Sequence, residues 1–333
     1  MYYLNKIDSL KNIFGNNSVS LGKDYLTVNN KEFPIINDVI IVLEPSKLPD
    51  AVKKRLSYGA ENNTPVSEFA EDIQFTFSAE WKKYSAILPE HQSEFKAYFD
   101  LVDLESLKNS RVCDLWCGIG RWSHFLKDKC KELVLVDFSE SIFLARENLR
   151  EADNAIFLMA DINGLPLKEK FADFLFCLGV LHHLPVNALH EVRRLKKYSS
   201  TILVYLYYSL DNRPFHFRIL LSLITFIRLS VSRNRNEFFR SAFTYFVASF
   251  IYFPLIKLGE IFSFFKISHF IPIYDGYRNK SLLRIRQDVY DRFFTRIEQR
   301  FSRKDIMGLS DTFADIKISE YWPYWHFLCK DPL

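Results

Sequence analysis

"RVCDLWCGIGRWSHFLKDKCKELVLVD" occupies residues 111–137, and its reading decides the fold. An apolar run, Val112–Trp116, ends in a turn holding Gly118 and Gly120. A helical stretch follows at Arg121–Lys129, and a second apolar run, Leu133–Asp137, closes the unit. The pattern continues outward. A helix is predicted over Ser139–Glu151 with Ser139 as its N-cap. Strands are predicted at Ala155–Met159, Phe174–Leu178 and Thr201–Tyr207, with a helix at Asn187–Lys196. Strand-helix alternation of this kind implies right-handed crossovers and a parallel sheet covered on both faces. Strands buried on both sides read as continuous apolar runs, as "LVLV" and "FLFCLGV" do.

The 333 residues are 48% hydrophobic and 25% charged, which excludes a disordered chain, a collagen-like repeat and a polytopic membrane protein. Aromatic content is high, with 32 Phe and 17 Tyr. Five Cys fit a reducing compartment with free thiols. Cys113 and Cys117 lack a second pair at metal-ligand spacing, so no metal site is expected. Met1–Leu10 carries Lys6 and Asp8 and does not read as a secretory signal, so a cytoplasmic location is expected.

Ligands of open parallel sheets sit at the carboxyl ends of the strands. Asp114, Trp116, Cys117, Gly118 and Gly120 follow the first strand, where the glycines allow a tight turn and close backbone approach. The second strand ends in Asp137, placed to accept ribose hydroxyls, with Phe138 beside it. The third ends in Asp161-Ile162, a pair able to take an adenine edge and cover its face. A plain strand-helix turn and solvated carboxylates are the bland alternatives, and the first two features also suit a dinucleotide fold.

The text from Asp161 to Lys197, "DINGLPLKEKFADFLFCLGVLHHLPVNALHEVRRLKK", separates these readings. Together with Asp114, Gly118, Gly120 and Val136–Ser139 it resembles class I S-adenosylmethionine-dependent methyltransferases, in their small-molecule, type 11-like branch. The resemblance covers about residues 106–208, with a weaker trace at Val289–Phe294 and Phe301–Ser319. It implies a Rossmann-like, seven-stranded, mostly parallel sheet with an antiparallel last strand, helices on both faces and a helical insertion. It also implies S-adenosyl-L-methionine as cofactor. The methionine moiety would lie along Trp116, Cys117, Gly118 and Gly120, the ribose at Asp137, and the adenine between Phe138, Asp161 and Ile162, with Leu178 and Gly179 under the sulfonium. His183 is the favoured base, with Tyr290 and Asp291 as further candidates over the acceptor; a purely structural role for the double His is the alternative. One departure stands out. Trp116 replaces the first glycine of the family's loop. Its indole either crowds the methionine end or points into the sheet packing while its backbone serves the ligand.

Four segments follow. Residues 1–105 form an N-terminal module and lid, in which Tyr25–Val28 and Val39–Leu43 read as strands around an Asn29-Asn30 turn. Phe75, Phe77, Trp81 and Tyr84 read there as a core stripe or as a lid over a pocket. Residues 106–210 form the cofactor-binding core, 211–287 an insertion, and 288–333 a C-terminal helix and hairpin. In the last, Ser302 caps a helix through Leu309, and Asp315–Ser319 and Trp325–Lys330 pair through Trp322-Pro323.

The basic surplus is concentrated in 211–286, with 12 basic and 4 acidic side chains. Its longest uncharged run, Ser241–Ile256, is short for a membrane span of about 20 residues and contains Pro254. Three readings remain: a helical cap, a basic pocket for a phosphorylated or lipid-linked acceptor, or an interfacial helix pair in peripheral contact with a membrane. In the last, Arg218, Arg228, Arg233, Arg235, Arg240, Lys257 and Lys266 face the headgroups. Nucleic acid is disfavoured, because the cations are interleaved with apolar runs. The acceptor is therefore expected to be a small molecule or a lipid-linked metabolite. The rivals are a non-catalytic binding protein on the same fold, and an NAD or nucleotide-sugar enzyme. The second is disfavoured because the third glycine of G-x-G-x-x-G falls on Ser123.

Overall fold

The computed structural model describes residues 1–15, 18–56, 81, 83–321 and 325–333. Phe75, Phe77 and the Trp322-Pro323 turn lie outside the described residues.

Among the described residues, eleven strands form one sheet: β1 (Val19–Leu21), β2 (Tyr25–Val28), β3 (Lys31–Ile36), β4 (Val39–Ile41), β5 (Arg111–Leu115), β6 (Glu132–Asp137), β7 (Ala155–Met159), β8 (Phe174–Leu178), β9 (Thr201–Tyr205), β10 (Phe313–Ile318) and β11 (His326–Pro332). Their order is β1-β2-β3-β4-β7-β6-β5-β8-β9-β11-β10. The parallel block runs from β4 to β9. β11 is antiparallel to both β9 and β10. The sheet is Rossmann-like and mostly parallel.

The expected seven strands are β5 to β11, and the sheet exceeds that number because β1–β4 extend its edge at β7. The N-terminal residues thus do not stand apart as a small module. β3 also intervenes where a single turn was expected between two strands. Its charged Lys31-Glu32 and its Pro34 hide it from a search for apolar alternation. Two-residue loops join β2–β3 and β3–β4, and both take the left-handed backbone that such hairpins need. Asn29 and Asn30 have φ of 50° and 64°, and Asn37 and Asp38 have 47° and 61°.

Helices α1 (Ile7–Phe14), α2 (Asp50–Arg55), α3 (His91–Tyr98), α4 (Ser123–Leu126), α5 (Ser141–Asn148) and α6 (Ala188–Leu195) cover the two faces. Leu10, Val192 and Leu195 pack on one face with Val134 and Ile156. Val52, Phe95, Ile142 and Ala145 pack on the other with Leu133, Leu135 and Phe157. Residue alternation along each strand feeds both cores, so every residue of β6, β7 and β8 is buried. α5 starts two residues after Ser139, whose hydroxyl donates to Asp137 Oδ1 while accepting from the amide of Ser141, the first helical residue. Asn187 does cap α6, accepting from Leu189 N and His190 N.

The insertion contains α7 (Phe215–Val231), α8 (Glu237–Val247), α9 (Phe253–Phe264) and the short α10 (Tyr274–Tyr277). α8 and α9 join through a π-turn at Ala248–Tyr252, making one helix of 28 residues, Glu237–Phe264. By length and composition this helix could cross a membrane, whereas the sequence suggested a run too short. Pro254 does not break it, because proline is tolerated in the first turn after the π-turn. α11 (Leu282–Phe294) packs beneath α7 and α8, and an aromatic third core forms there from Tyr252, Tyr274, Tyr277, Tyr290, Phe293 and Phe294. Much of the excess aromatic content resides in this core. α12 (Arg303–Met307) follows, with Ser302 in a capping box with Asp305.

Candidate active site

A cavity of about 690 Å³ lies across the carboxyl ends of β5, β6 and β8 and extends beneath the insertion. Trp116, Cys117, Gly118, Asp137, Phe138, Asp161 and Leu178 all line it. Asp114, Gly120 and Ile162, assigned to the cofactor from sequence, sit behind the wall. Asp114 is buried and accepts from Ser123 Oγ at 2.7 Å, so it fixes the start of α4. Burial pushes its carboxyl up to about 8 against that hydrogen bond. At Gly120 a Cβ would fall 2.5 Å from Leu149 Cδ1, which makes this glycine a packing requirement. Ile162 is buried in the core.

The loop after β5 carries three left-handed residues, Trp116 (φ 62°), Gly118 (54°) and Gly120 (70°). For Trp116 that conformation costs about 1–3 kcal/mol. Its amide donates to Val136 O at 2.7 Å, holding the loop against β6. Its indole both packs on the sheet core and lines the cavity. Gly118 N donates to Asp137 Oδ2 at 2.8 Å, and the Ser139 amide and hydroxyl donate to Oδ1. Burial raises the Asp137 carboxyl, and these bonds oppose the rise. The carboxylate is thereby locked at the rim. Trp81 closes the cavity over this loop, its ring 3.1 Å from where a Gly118 Cβ would stand. The Arg121 guanidinium sits 5.3 Å from the Trp81 ring and 4.3 Å from that of Trp122. Tyr84 lies in the aromatic core, so of the two described residues of the predicted stripe Trp81 lines the cavity and Tyr84 packs in the core.

At the third strand end Asp161 pairs with Lys47 Nζ at 2.7 Å. Lys47 precedes α2 and lies 114 residues away in sequence. No local pattern could have found it.

The acceptor side centres on the loop after β8. His183 Nδ1 lies 2.8 Å from Ile297 O, and a carbonyl can only accept, so Nδ1 carries the proton and Nε2 is the basic atom. His183 Nε2 is 3.8 Å from Asp291 Oδ1. Asp291 accepts from Tyr207 Oη at 2.7 Å and from Thr295 Oγ1 at 3.2 Å. His182 is fully buried and stacks on Tyr207 at 3.9 Å, and burial with His183 beside it pushes its pKa well down. His182 therefore shapes the loop. Gln299 donates to Leu184 O and Val186 O, stapling the same loop to the segment after α11. Tyr290, the other sequence candidate, points into the aromatic core and receives a bond from Arg240. Tyr207, Gln299 and Ile297 were missed, since their roles arise from the crossing of the 295–301 segment.

Beyond this group the wall becomes apolar, formed by Phe217, Leu220, Leu221 and Ile224 of α7 with Ile271 and Ile273. Arg213, Arg292 and Arg300 also line it. Glu94 and Asp288 hold Arg284 and Lys280 at the opposite edge.

Comparison with known proteins finds similarity over the same part of the chain. The family model described as "Methyltransferase domain" matches residues 112–198. A tRNA U34 carboxymethyltransferase from Trichodesmium erythraeum is 24% identical over 178 residues, 50% of each chain. The uncharacterized protein MJ0638 from Methanocaldococcus jannaschii is 31% identical over 105 residues, 31% of this chain and 44% of that one. The chain thus spans half or less of the length of these relatives. Among solved structures, phosphoethanolamine N-methyltransferase 1 from Haemonchus contortus has a TM-score of 0.34 at 20% identity, covering 39% of this chain and 31% of that one. A methyltransferase from Aquifex aeolicus has a TM-score of 0.33 at 21% identity, covering 38% and 71%. The family match covers the residues that hold β5 to α6, including the glycine turn between β5 and α4, so this part of the chain is similar to methyltransferase domains.

Proposed function

We propose that this protein transfers a methyl group from S-adenosylmethionine to a small-molecule or lipid-linked acceptor held in the same cavity. The observation that carries the reading is the continuity of that cavity. It runs from Gly118 and Asp137, past His183 and Asp291, to the apolar wall of α7. The residues fit the cofactor. Gly179 leaves room for close backbone approach, with nothing within 4 Å of an added Cβ, and Asp137 is fixed at the rim by three hydrogen bonds.

When bound, S-adenosylmethionine supplies a sulfonium-activated methyl group. The chain's own task is to orient the acceptor and take its proton. Orientation alone lowers such barriers by up to about 7–11 kcal/mol in favourable cases. His183 Nε2 would accept the acceptor's proton, its tautomer set by Ile297. The imidazolium so formed would face the Asp291 carboxylate, which Tyr207 and Thr295 hold in place. Gly118, Asp137 and Gly179 would hold the donor at one end of the cavity, and the proton that the acceptor gives up on methylation would rest on His183. The apolar wall, beside Arg292 and with Arg213 and Arg300 paired to Asp275 and Glu298, suits an acceptor with an apolar part.

Trp116 favours a second reading, a non-catalytic binding protein that has kept the fold and lost cofactor affinity, because an indole on a strained backbone lines the site where the family has glycine. Titration calorimetry with S-adenosylhomocysteine and with NAD separates the two. Binding of the first and not the second is expected, and binding of neither would overturn the enzymatic reading.

A further inference from the structure

The helical insertion faces two surroundings. Its inner side packs on α11 and walls the cavity. Its outer side is apolar and exposed. Among the described residues, most of the exposed large apolar side chains lie between Phe215 and Leu283. Phe264 is 86% exposed, Phe238 84% and Phe226 73%. A patch of this kind on a protein surface marks a contact.

The geometry points to a bilayer surface containing anionic lipid as the occupant of this outer face. The placement of charge favours lipid. Arg218 lies near the start of α7, Arg233 and Arg235 in the loop between α7 and α8, and Lys266 just past α9, all of them exposed. The apolar side chains lie between these basic ends. Long basic side chains at helix ends reach headgroups while the aromatic face enters the acyl boundary. A second copy would set this basic, apolar face against its own like charges.

The long helix Glu237–Phe264 lies along such a surface and does not cross it. Its inner face is tied down by Arg240, which is buried and donates to Tyr290 Oη at 2.7 Å. Arg228 is also buried, against Thr295 O and Arg296 O. These two arginines were expected from sequence to face headgroups, and the structure turns them inward, where each satisfies polar groups of the fold. Leu220 is exposed and also lines the cavity, so the cavity's apolar end borders the proposed membrane face. An acceptor carrying an acyl or prenyl chain would enter there, and this last step rests on the methyltransferase reading.

The test is flotation of the full chain with phosphatidylcholine vesicles, with and without phosphatidylglycerol. The wild type is expected to float with the mixed vesicles at low salt, and more weakly with phosphatidylcholine alone or at high salt. Phe238→Ser with Phe264→Ser is expected to lower partition by about tenfold or more, with thermal stability unchanged. Wild-type protein left in the dense fraction with mixed vesicles would overturn the inference. So would a double variant that floats as well as the wild type, or one that converts a lipid-free dimer to monomer. Titration with S-adenosylhomocysteine on the same samples keeps the two readings apart: loss of flotation with ligand binding intact refutes only the membrane face.

Discussion

Two left-handed glycines near the cavity, Gly179 in its lining and Gly120 behind its wall, have different neighbours, which allows their roles to be separated by adding one methyl. Gly179 (φ 81°) has no heavy atom within 4 Å of an added Cβ, and it lines the cavity. Gly179→Ala should therefore cost only the left-handed penalty, about 1–2 kcal/mol. Gly120 (φ 70°) places the same methyl 2.5 Å from Leu149 Cδ1 and 3.2 Å from Ala145 Cβ, in a core where Leu149 cannot step aside. Gly120→Ala adds an overpacking term of about 1–3 kcal/mol, for a total of about 2–5 kcal/mol. Ligand affinity should run the other way. Urea unfolding with S-adenosylhomocysteine titration on each variant reads both quantities. Gly179→Ala is expected to be the more stable variant and the weaker binder, and Gly120→Ala the less stable one with affinity nearer wild type. Equal destabilisation, or unchanged affinity in Gly179→Ala, would refute the assignment of one glycine to the ligand and the other to packing.

Further outcomes follow from the buried charges. Burial alone would raise the Glu94 carboxyl, but Arg284 and Lys280 outweigh it and hold it at about 2. That depressed value gives stability which is present above about pH 4.5 and lost as pH falls through 2, so Glu94→Gln should flatten the acid limb in thermal melts. Loss of that buried partner should also cost about 3–5 kcal/mol at pH 7. Asp114 has the opposite sign: its folded pKa is raised to about 8, so its favourable contribution is full below the ordinary carboxylate range and lost as pH rises through 8. Asp114→Asn should then be stabilising by about 1–4 kcal/mol at pH 7 and near neutral at pH 4, and a pH-independent difference in melting would contradict this. With an acceptor in hand, His183→Ala should lower kcat by about 10²–10⁴-fold while S-adenosylhomocysteine affinity is kept. Unchanged turnover would remove His183 as base.

Much of the central sheet was legible because local signals agree there. β6, β7 and β8 are apolar throughout, and the Gly118/Gly120 turn, Asn187 and Ser302 mark helix starts by their own chemistry. Asp137 and Asp161 were legible because strand ends in such sheets converge on one rim. What escaped depends on distant partners. Lys47 meets Asp161 across 114 residues, and Glu94 meets Arg284 across 190. The insertion defeated periodicity for another reason. Aromatics line both its packed and its exposed faces, so the sequence did not reveal that Arg228 and Arg240 point inward or that the helix continues past Pro254.

The most direct test is a crystal structure with saturating S-adenosylhomocysteine. The account predicts the ribose hydroxyls on Asp137, the adenine between Phe138 and Asp161, and the homocysteine along the backbone of 116–118. A cavity closed by the indoles of Trp81 or Trp116, with no nucleoside along the strand ends, would contradict it and leave only the architecture standing.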